Sequence, residues 1–337
     1  MKNRRNFIKE SALAGIGIST FLPNTSIRAS NEEKKALKIG IIGLDTSHSP
    51  AFTKYINDPE KESMKGVTVT AAYPHGSSKI ESSYSRIPRY TEELKSMGVT
   101  IIDSINDLID SVDAVLLETN DGTIHLEQAL QVIEAKKPVF VDKPVAAGLK
   151  DVIKVYEAAR KNQVPLFSSS SLRFVQKAQD LRNNQTIGDI LGAYTYGTME
   201  IEPSHTDLYW YGIHGVELLY TVMRSGCKQV SRITTESTDL VMGKWADERV
   251  GSFRGIIKGR QKYGGTAFGS KDVTDVGTSE GYGELIEKII QFFQTGISPV
   301  DDEETIELYT FMEAADVSKK RNGAWVDLKE VYDMALD

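Results

Sequence analysis

A short apolar run leads into Gly43, and the turn after it reads Leu44-Asp45-Thr46-Ser47-His48-Ser49-Pro50. A dinucleotide-binding turn of the form G-x-G-x-x-G would keep glycine at three places, and only the first survives here. Asp45 and His48 stand at the other two, which makes backbone approach to a pyrophosphate less easy. The helix that starts near Pro50 still offers unpaired N–H groups and a positive dipole end to a phosphate. Gly43, Asp45, Thr46, Ser47 and His48 are therefore candidate cofactor contacts. The blander alternative is a capped turn, in which Asp45, Thr46 or Ser47 accepts backbone N–H groups and His48 is solvated. Asp45 and His48 lack an obvious third partner, so no metal site is expected.

The segments that must position this turn alternate between strand and helix. Residues 37–43 form a continuous β-rich apolar run, the pattern of a strand buried on both faces of a parallel sheet. Runs at 67–73, 100–102, 112–119 and 138–141 follow as further strands. Between them Ile124, Leu126, Ala129, Leu130 and Ile133 recur at helical spacing and put one apolar stripe toward a sheet. This order predicts an α/β fold with a Rossmann-like, doubly wound parallel sheet that binds its ligand at the carboxyl ends of the strands. That edge gathers residues 43–49, 73–78, 118–121 and 142–144, which adds Gly76, Ser77, Thr119, Asn120 and Asp142 to the cofactor candidates. The strand at 67–73 ends without the acid that would bind the adenine ribose of NAD; Pro74-His75-Gly76-Ser77-Ser78-Lys79 follows instead. Hydroxyls followed by a lysine favour NADP over NAD.

The first 30 residues have a separate logic. Lys2, Arg4 and Arg5 precede an apolar run from Ala12 to Leu22 that Pro23 ends, the layout of an export signal too short to span a membrane. Arg4-Arg5-Asn6-Phe7-Ile8-Lys9 resembles the twin-arginine motif. A periplasmic protein is expected, with any nicotinamide cofactor tightly bound and recycled in place. The expected organisation is a signal at 1–30, a linker at 31–36, a Rossmann-like domain at 37–147 and an α+β domain at 148–337. The chain returns to the first domain near 148–170 and 301–337.

With 337 residues the chain can bury a large core, and a net charge of −7 leaves no basic surface for nucleic acid. The single cysteine, Cys227, excludes an internal disulfide framework and reads as a small buried apolar group.

The segment Val132 to Lys161, VIEAKKPVFVDKPVAAGLKDVIKVYEAARK, resembles the Gfo/Idh/MocA oxidoreductases, in which a strand delivers a Glu-Lys-Pro triplet. Here the triplet is Asp142-Lys143-Pro144, and Thr123-Ile124-His125-Leu126 matches the family's histidine-containing helix, which brings in His125 as a cofactor candidate. The resemblance implies that Lys143 lies between nicotinamide and substrate, where an ammonium stabilises alkoxide character, and that Pro144 is cis. It also implies a second domain built on a large, mostly antiparallel sheet with an open face for homo-oligomer contact. Strands at 192–201, 228–239, 252–258 and 264–270, after a helix at 173–184, fit that architecture.

In the family an Asp and a His four residues apart act on the substrate hydroxyl. His214 matches the histidine, while Trp210 stands where the acid would be. Histidine suits proton transfer because its pKa lies near neutrality. Tyr211 or Glu217, on the same helix side, would orient it, so Lys143, His214, Tyr211 and Glu217 are the catalytic candidates. Arg173, His205, Asp207 and Trp210 join Lys143 and His214 as candidate substrate contacts. The implied activity is NAD(P)-dependent hydride transfer at a secondary alcohol of a sugar or sugar derivative. A non-catalytic sugar-binding homologue and a non-redox lyase or hydrolase on the same fold are the alternatives.

Overall fold

The computed structural model describes residues 36–337 apart from Gln185. The twin-arginine segment and all but the last residue of the linker lie outside the described residues.

Six parallel strands form the first sheet: β1 (Leu37–Ile42), β2 (Val67–Tyr73), β3 (Thr100–Ile101), β4 (Ala114–Leu117), β5 (Val139–Val141) and β6 (Leu166–Phe167). Their order is β3-β2-β1-β4-β5-β6, so the winding reverses between β1 and β4 and opens a crevice there. All four residues of β4 are buried, as a central parallel strand requires. The helix Leu149–Asn162 lies between β5 and β6, so the chain stays with the first sheet to residue 167. Apolar side chains cover both faces of this sheet. On one face Phe52, Phe140 and Phe167 meet Leu285, Ile289 and Phe292 of the helix Gly283–Thr295, which returns from late in the chain.

The second sheet has seven strands in the order β12-β11-β7-β10-β9-β8-β13. They are β7 (Ile190–Thr198), β8 (Cys227–Thr234), β9 (Thr238–Trp245), β10 (Val250–Ile256), β11 (Gly264–Gly269), β12 (Val273–Asp275) and β13 (Val326–Asp327). Only the β7–β10 pair is parallel. The run expected as one strand at 228–239 is the first arm of a hairpin: Thr235 donates its N–H to Thr238 and the chain turns back into β9. The helix expected at 173–184 is two pieces, a 3₁₀ turn Ser171–Phe174 and an α-helix Gln176–Asn184, separated by Val175 in an extended conformation. The helix Gly212–Met223 lies on this sheet, and Gly215 permits the close approach: a Cβ there would sit 2.1 Å from the Phe253 ring of β10.

Candidate active site

A cavity of about 340 Å³ opens where the carboxyl ends of the parallel strands face the Gly212–Met223 helix. This is the low end of small-molecule sites. Thr46, Ser47, His48, Asn120, Lys143, Tyr211 and His214 line it, as do Arg86, Tyr263 and Tyr282. The last three carry no motif: each comes from a loop or an element end that only the fold brings in.

Lys143 owes its position to a heavily anchored turn. Strand β5 ends as Asp142 donates its N–H to Leu117, and the Lys143–Pro144 peptide is cis. The Pro144 carbonyl meets His125 Nδ1 at 2.7 Å, and Val145 donates to the Tyr309 hydroxyl at 2.7 Å. The lysine side chain is 7% exposed, and its ammonium lies 5.6 Å from the Tyr211 ring centroid.

His214 faces the same cavity. Its Nδ1 is 2.7 Å from Ser170 Oγ, and the Tyr211 and Tyr263 rings meet it edge-on at 6.1 and 5.7 Å. With Nδ1–H donated to Ser170, Nε2 is the nitrogen left to accept a proton. Burial holds the His214 pKa well below the ordinary imidazole range, and the ammonium of Lys143 lowers it further. The ring is therefore a neutral base at neutral pH.

The altered glycine turn is held by its own side chains. Gly43 has φ +91°, and a Cβ there would come within 2.6 Å of the Thr119 backbone, so this glycine is obligatory. Asp45 is fully buried, and its carboxylate accepts the N–H groups of Ser77 at 2.9 Å and Asn120 at 3.0 Å. Burial raises its pKa while those two bonds lower it, with a net rise. It fills the space beside Gly76, where an added Cβ would meet it at 2.1 Å. One carboxylate thus ties the ends of β1, β2 and β4 together. Ser47 makes no side-chain cap bond at the start of the helix His48–Ile56, and the His48 N–H reaches only Thr46 Oγ1 at 3.4 Å, so the following N–H groups remain suited to a phosphate. The residues fit a nicotinamide nucleotide along this helix start and the Lys143 cavity, while Asp45 occupies the N–H groups of Ser77 and Asn120 beside the turn.

Asp45 and His48 do not act as a pair. His48 Nδ1 lies 2.7 Å from Asp142 and 3.8 Å from Glu118. His48, Glu118 and Asp142 place potential ligand atoms within 4.8 Å of one another, a grouping that leaves Asp45 out. Glu118 was legible only as the end of an apolar strand. Burial and the neighbouring Asp142 push its pKa well up, whereas His48 and Lys143 hold Asp142 below the usual carboxylate range.

Several expected site residues serve other ends. Glu217 does not touch His214; it accepts from Arg173 at 2.7 Å, from the Ser170 N–H at 2.6 Å and from the Ser169 hydroxyl at 2.6 Å. Arg173, expected at the substrate, is buried between Glu217 and Glu304. Asp207 faces Arg232 and Lys319. His205 accepts the Gly122 N–H at 2.9 Å and packs on Trp210, and both are buried. His125 bridges the carbonyls of Thr119 and Pro144 from full burial, which lowers its pKa although both carbonyls favour the protonated ring. Ser77 donates its hydroxyl to Asp121 at 2.7 Å, so it is already engaged. Ser170, which the sequence did not single out, is the residue that positions His214.

The family described as "Oxidoreductase family, NAD-binding Rossmann fold" matches residues 37–170, from β1 to the end of the first sheet. Over these residues the chain matches the Gfo/Idh/MocA family model. The chain is 29% identical over 117 residues to an "Uncharacterized oxidoreductase" of Streptococcus pneumoniae, an alignment covering 33% of this chain and 32% of the relative. It is 37% identical over 81 residues to a "Myo-inositol 2-dehydrogenase" of Thermotoga maritima, covering 23% of this chain and 24% of that one. The chain thus spans a third or less of the length of these curated relatives. The fold of nearly the whole chain is that of scyllo-inositol dehydrogenase from Lactobacillus casei, solved with bound cofactor NAD(H) and scyllo-inositol. The TM-score is 0.72 at 14% identity, over 88% of this chain and 100% of that structure.

Proposed function

We propose that this protein is an NAD(P)-dependent oxidoreductase that acts at a secondary alcohol of a sugar or cyclitol. The observation that carries this reading is the meeting of Lys143 and His214 on one cavity at the reversal of the parallel sheet. The inositol dehydrogenases among its relatives support a polyhydroxylated ring as substrate.

The chemistry follows from the two side chains. His214 accepts the substrate hydroxyl proton at Nε2, and Ser170 keeps the ring in the tautomer that allows it. The Lys143 ammonium stabilises the negative charge that develops on the substrate oxygen, in a cavity whose walls include Tyr211, Tyr263 and Tyr282. A bound nicotinamide would supply the hydride acceptor, its phosphates held by Thr46, Ser47, Asn120 and the start of the His48–Ile56 helix. NADP is favoured over NAD because no acid follows Tyr73 at the end of β2. Tight retention of the nucleotide belongs with export by the twin-arginine segment, which cell fractionation of an Arg4→Lys, Arg5→Lys variant tests. Self-association is proposed through the second sheet, where Leu191, Val250, Phe268 and Val273 are exposed; light scattering reads it.

The deciding experiment is to purify the full chain without added nucleotide, denature it and identify released molecules by mass spectrometry. Sugars and inositols are then screened by nicotinamide absorbance. Release of NAD(P), or binding of added NAD(P), with turnover of a polyol supports the proposal. A protein that neither carries nor binds either nucleotide overturns it.

A further inference from the structure

Three neighbouring strands, in sheet order β1, β4 and β5, each send one potential metal ligand into the crevice from its carboxyl end. His48 comes from the turn after β1, Glu118 from the end of β4 and Asp142 from the end of β5. We propose that His48, Glu118 and Asp142 bind one divalent transition-metal ion at the floor of the active-site cavity.

The first ground is that the acids are incomplete without it. Glu118 is fully buried, and neither of its carboxylate oxygens has a hydrogen-bond partner among the described residues. Asp142 is 1% exposed, and its Oδ1 is likewise unpartnered. Buried carboxylates are kept in proteins by partners or by metal ions, since a dry unpaired charge is costly. Lys143 is near enough to lower the pKa of both acids, but the ion pairs they make among the described residues are with His48, and the unpartnered oxygens remain.

The second ground is geometry. Ligand atoms around a tetrahedral ion with bonds near 2.1 Å stand about 3.4 Å apart, and here the closest pair is at 2.7 Å with all three atoms inside 4.8 Å. The ring of His48 is aimed by Phe52, stacked at 5.3 Å, and by Tyr282, edge-on at 4.7 Å. Main-chain bonds from Glu118 to Ile42 and from Asp142 to Leu117 fix the two carboxylates. One imidazole and two carboxylates suit Zn²⁺ or Mn²⁺. Three protein ligands leave a coordination position open, as in catalytic rather than structural sites. His48 lines the cavity that Lys143 and His214 share, so the open position suits a hydroxyl or carbonyl oxygen of a polyol. The ion would also offset the negative charge that Asp45, Glu118 and Asp142 gather where an anionic nucleotide approaches.

This inference stands apart from the nicotinamide reading, and its test does not measure turnover. The full chain is stripped with chelator, dialysed, and titrated calorimetrically with ZnCl₂ and separately with MnCl₂; bound metal is counted by plasma mass spectrometry. One equivalent of either ion is expected to bind saturably and to raise the thermal midpoint. Glu118→Gln and Asp142→Asn, which keep the side-chain shapes, and His48→Gln are each expected to weaken binding about 100-fold or more. Circular dichroism confirms that each variant is folded, and the proposal is judged on those that are. Absence of saturable binding to the stripped protein overturns the proposal, as does binding that all folded variants keep. A Glu118→Gln protein more stable than a parent that takes up no ion would identify Glu118 as a buried neutral acid instead. Nucleotide release without metal binding, or the reverse, separates the fate of this site from that of the oxidoreductase proposal.

Discussion

Ser170 Oγ and His214 Nδ1 are 2.7 Å apart, and the N–H of the same serine is held by Glu217 at 2.6 Å. Glu217 is in turn pinned by Arg173. The His214 imidazole, the base of the proposed reaction, is therefore oriented from a buried ion pair, through a serine main chain, to a serine hydroxyl. His214→Ala is expected to lower kcat by about 10²- to 10⁴-fold with modest change in KM. Ser170→Ala keeps the base but frees its ring, so a smaller loss, about 10-fold, is expected. Steady-state kinetics on an identified substrate check both. Equal losses in kcat and in thermal midpoint for Ser170→Ala would reduce the contact to a structural one.

In the proposed reaction Lys143 acts on the substrate and on the base together. Lys143→Met is expected to reduce turnover by about 10²-fold or more, since the charge on the reacting oxygen loses its stabilising ammonium. It also removes a positive charge that lowers the His214 pKa. The acid limb of the residual pH–rate profile should therefore move to higher pH, which a comparison of kcat against pH between parent and variant reads directly. A limb that stays in place would disconnect the two side chains.

Arg173 is 3% exposed and joins Glu217 and Glu304, with Arg182 completing the Glu304 contact. Removing one member leaves buried charge uncompensated, and Arg173→Met is expected to cost about 3–5 kcal/mol of stability. Chemical denaturation measures it. A variant as stable as the parent would mean that water reaches this cluster.

The parts of this molecule that could be read from the chain are those encoded by neighbours in sequence. Strands β4 and β5 are unbroken apolar runs, β1 and β2 are apolar runs interrupted by Lys38 and by Thr68 and Thr70, and the Lys143 turn lies in a locally distinctive segment. Strand β6 has two residues and leaves no pattern. The site's wiring is hidden for a different reason: Asp45 reaches Ser77 and Asn120, and His48 reaches Asp142, across 32, 75 and 94 residues. Asp45 and Glu217 each look like a catalytic or cofactor acid in a motif-length window. Their roles follow from backbone N–H groups and an arginine that only the folded sheet brings within reach. Glu118 was marked in the sequence only by its type and its place at the ligand-binding edge of the sheet.

Asp45 stands where a phosphate turn would have its second glycine, and it consumes two backbone donors. Asp45→Gly is expected to weaken the fold by about 1–3 kcal/mol, because the Ser77 and Asn120 N–H groups lose their acceptor. The same change frees those donors and removes a buried negative charge, so affinity for NAD(P) should rise. Calorimetric titration with nucleotide and a thermal melt on one preparation test the two halves together. Unchanged affinity would place Asp45 away from the path of the pyrophosphate.

Stability against pH brings the buried histidines together. His214, His125 and His205 all have pKa values lowered from 6.5, burial being the largest cause in each. Below about pH 6.5 the unfolded chain takes up protons that these folded histidines refuse, so their contribution to stability falls with pH, against an opposing contribution from Glu118 and Asp316, whose raised pKa values let the folded chain take up protons first. The carboxylates of Asp121, Asp207 and Glu304, whose pKa values are lowered by their partners, act in the same direction as the histidines, further down. Their stabilisation is present above the ordinary carboxylate range and is lost as pH drops through it. The thermal midpoint is expected to be level near neutrality, to decline from about pH 6.5 and to fall more steeply below about pH 4.5. His214→Gln should flatten the first part of that decline, because a neutral amide replaces a ring that the unfolded chain protonates. A His214→Gln midpoint profile parallel to the parent's between pH 7 and pH 5 would mean that His214 takes up a proton in the folded state, and His214 would then no longer qualify as the neutral base.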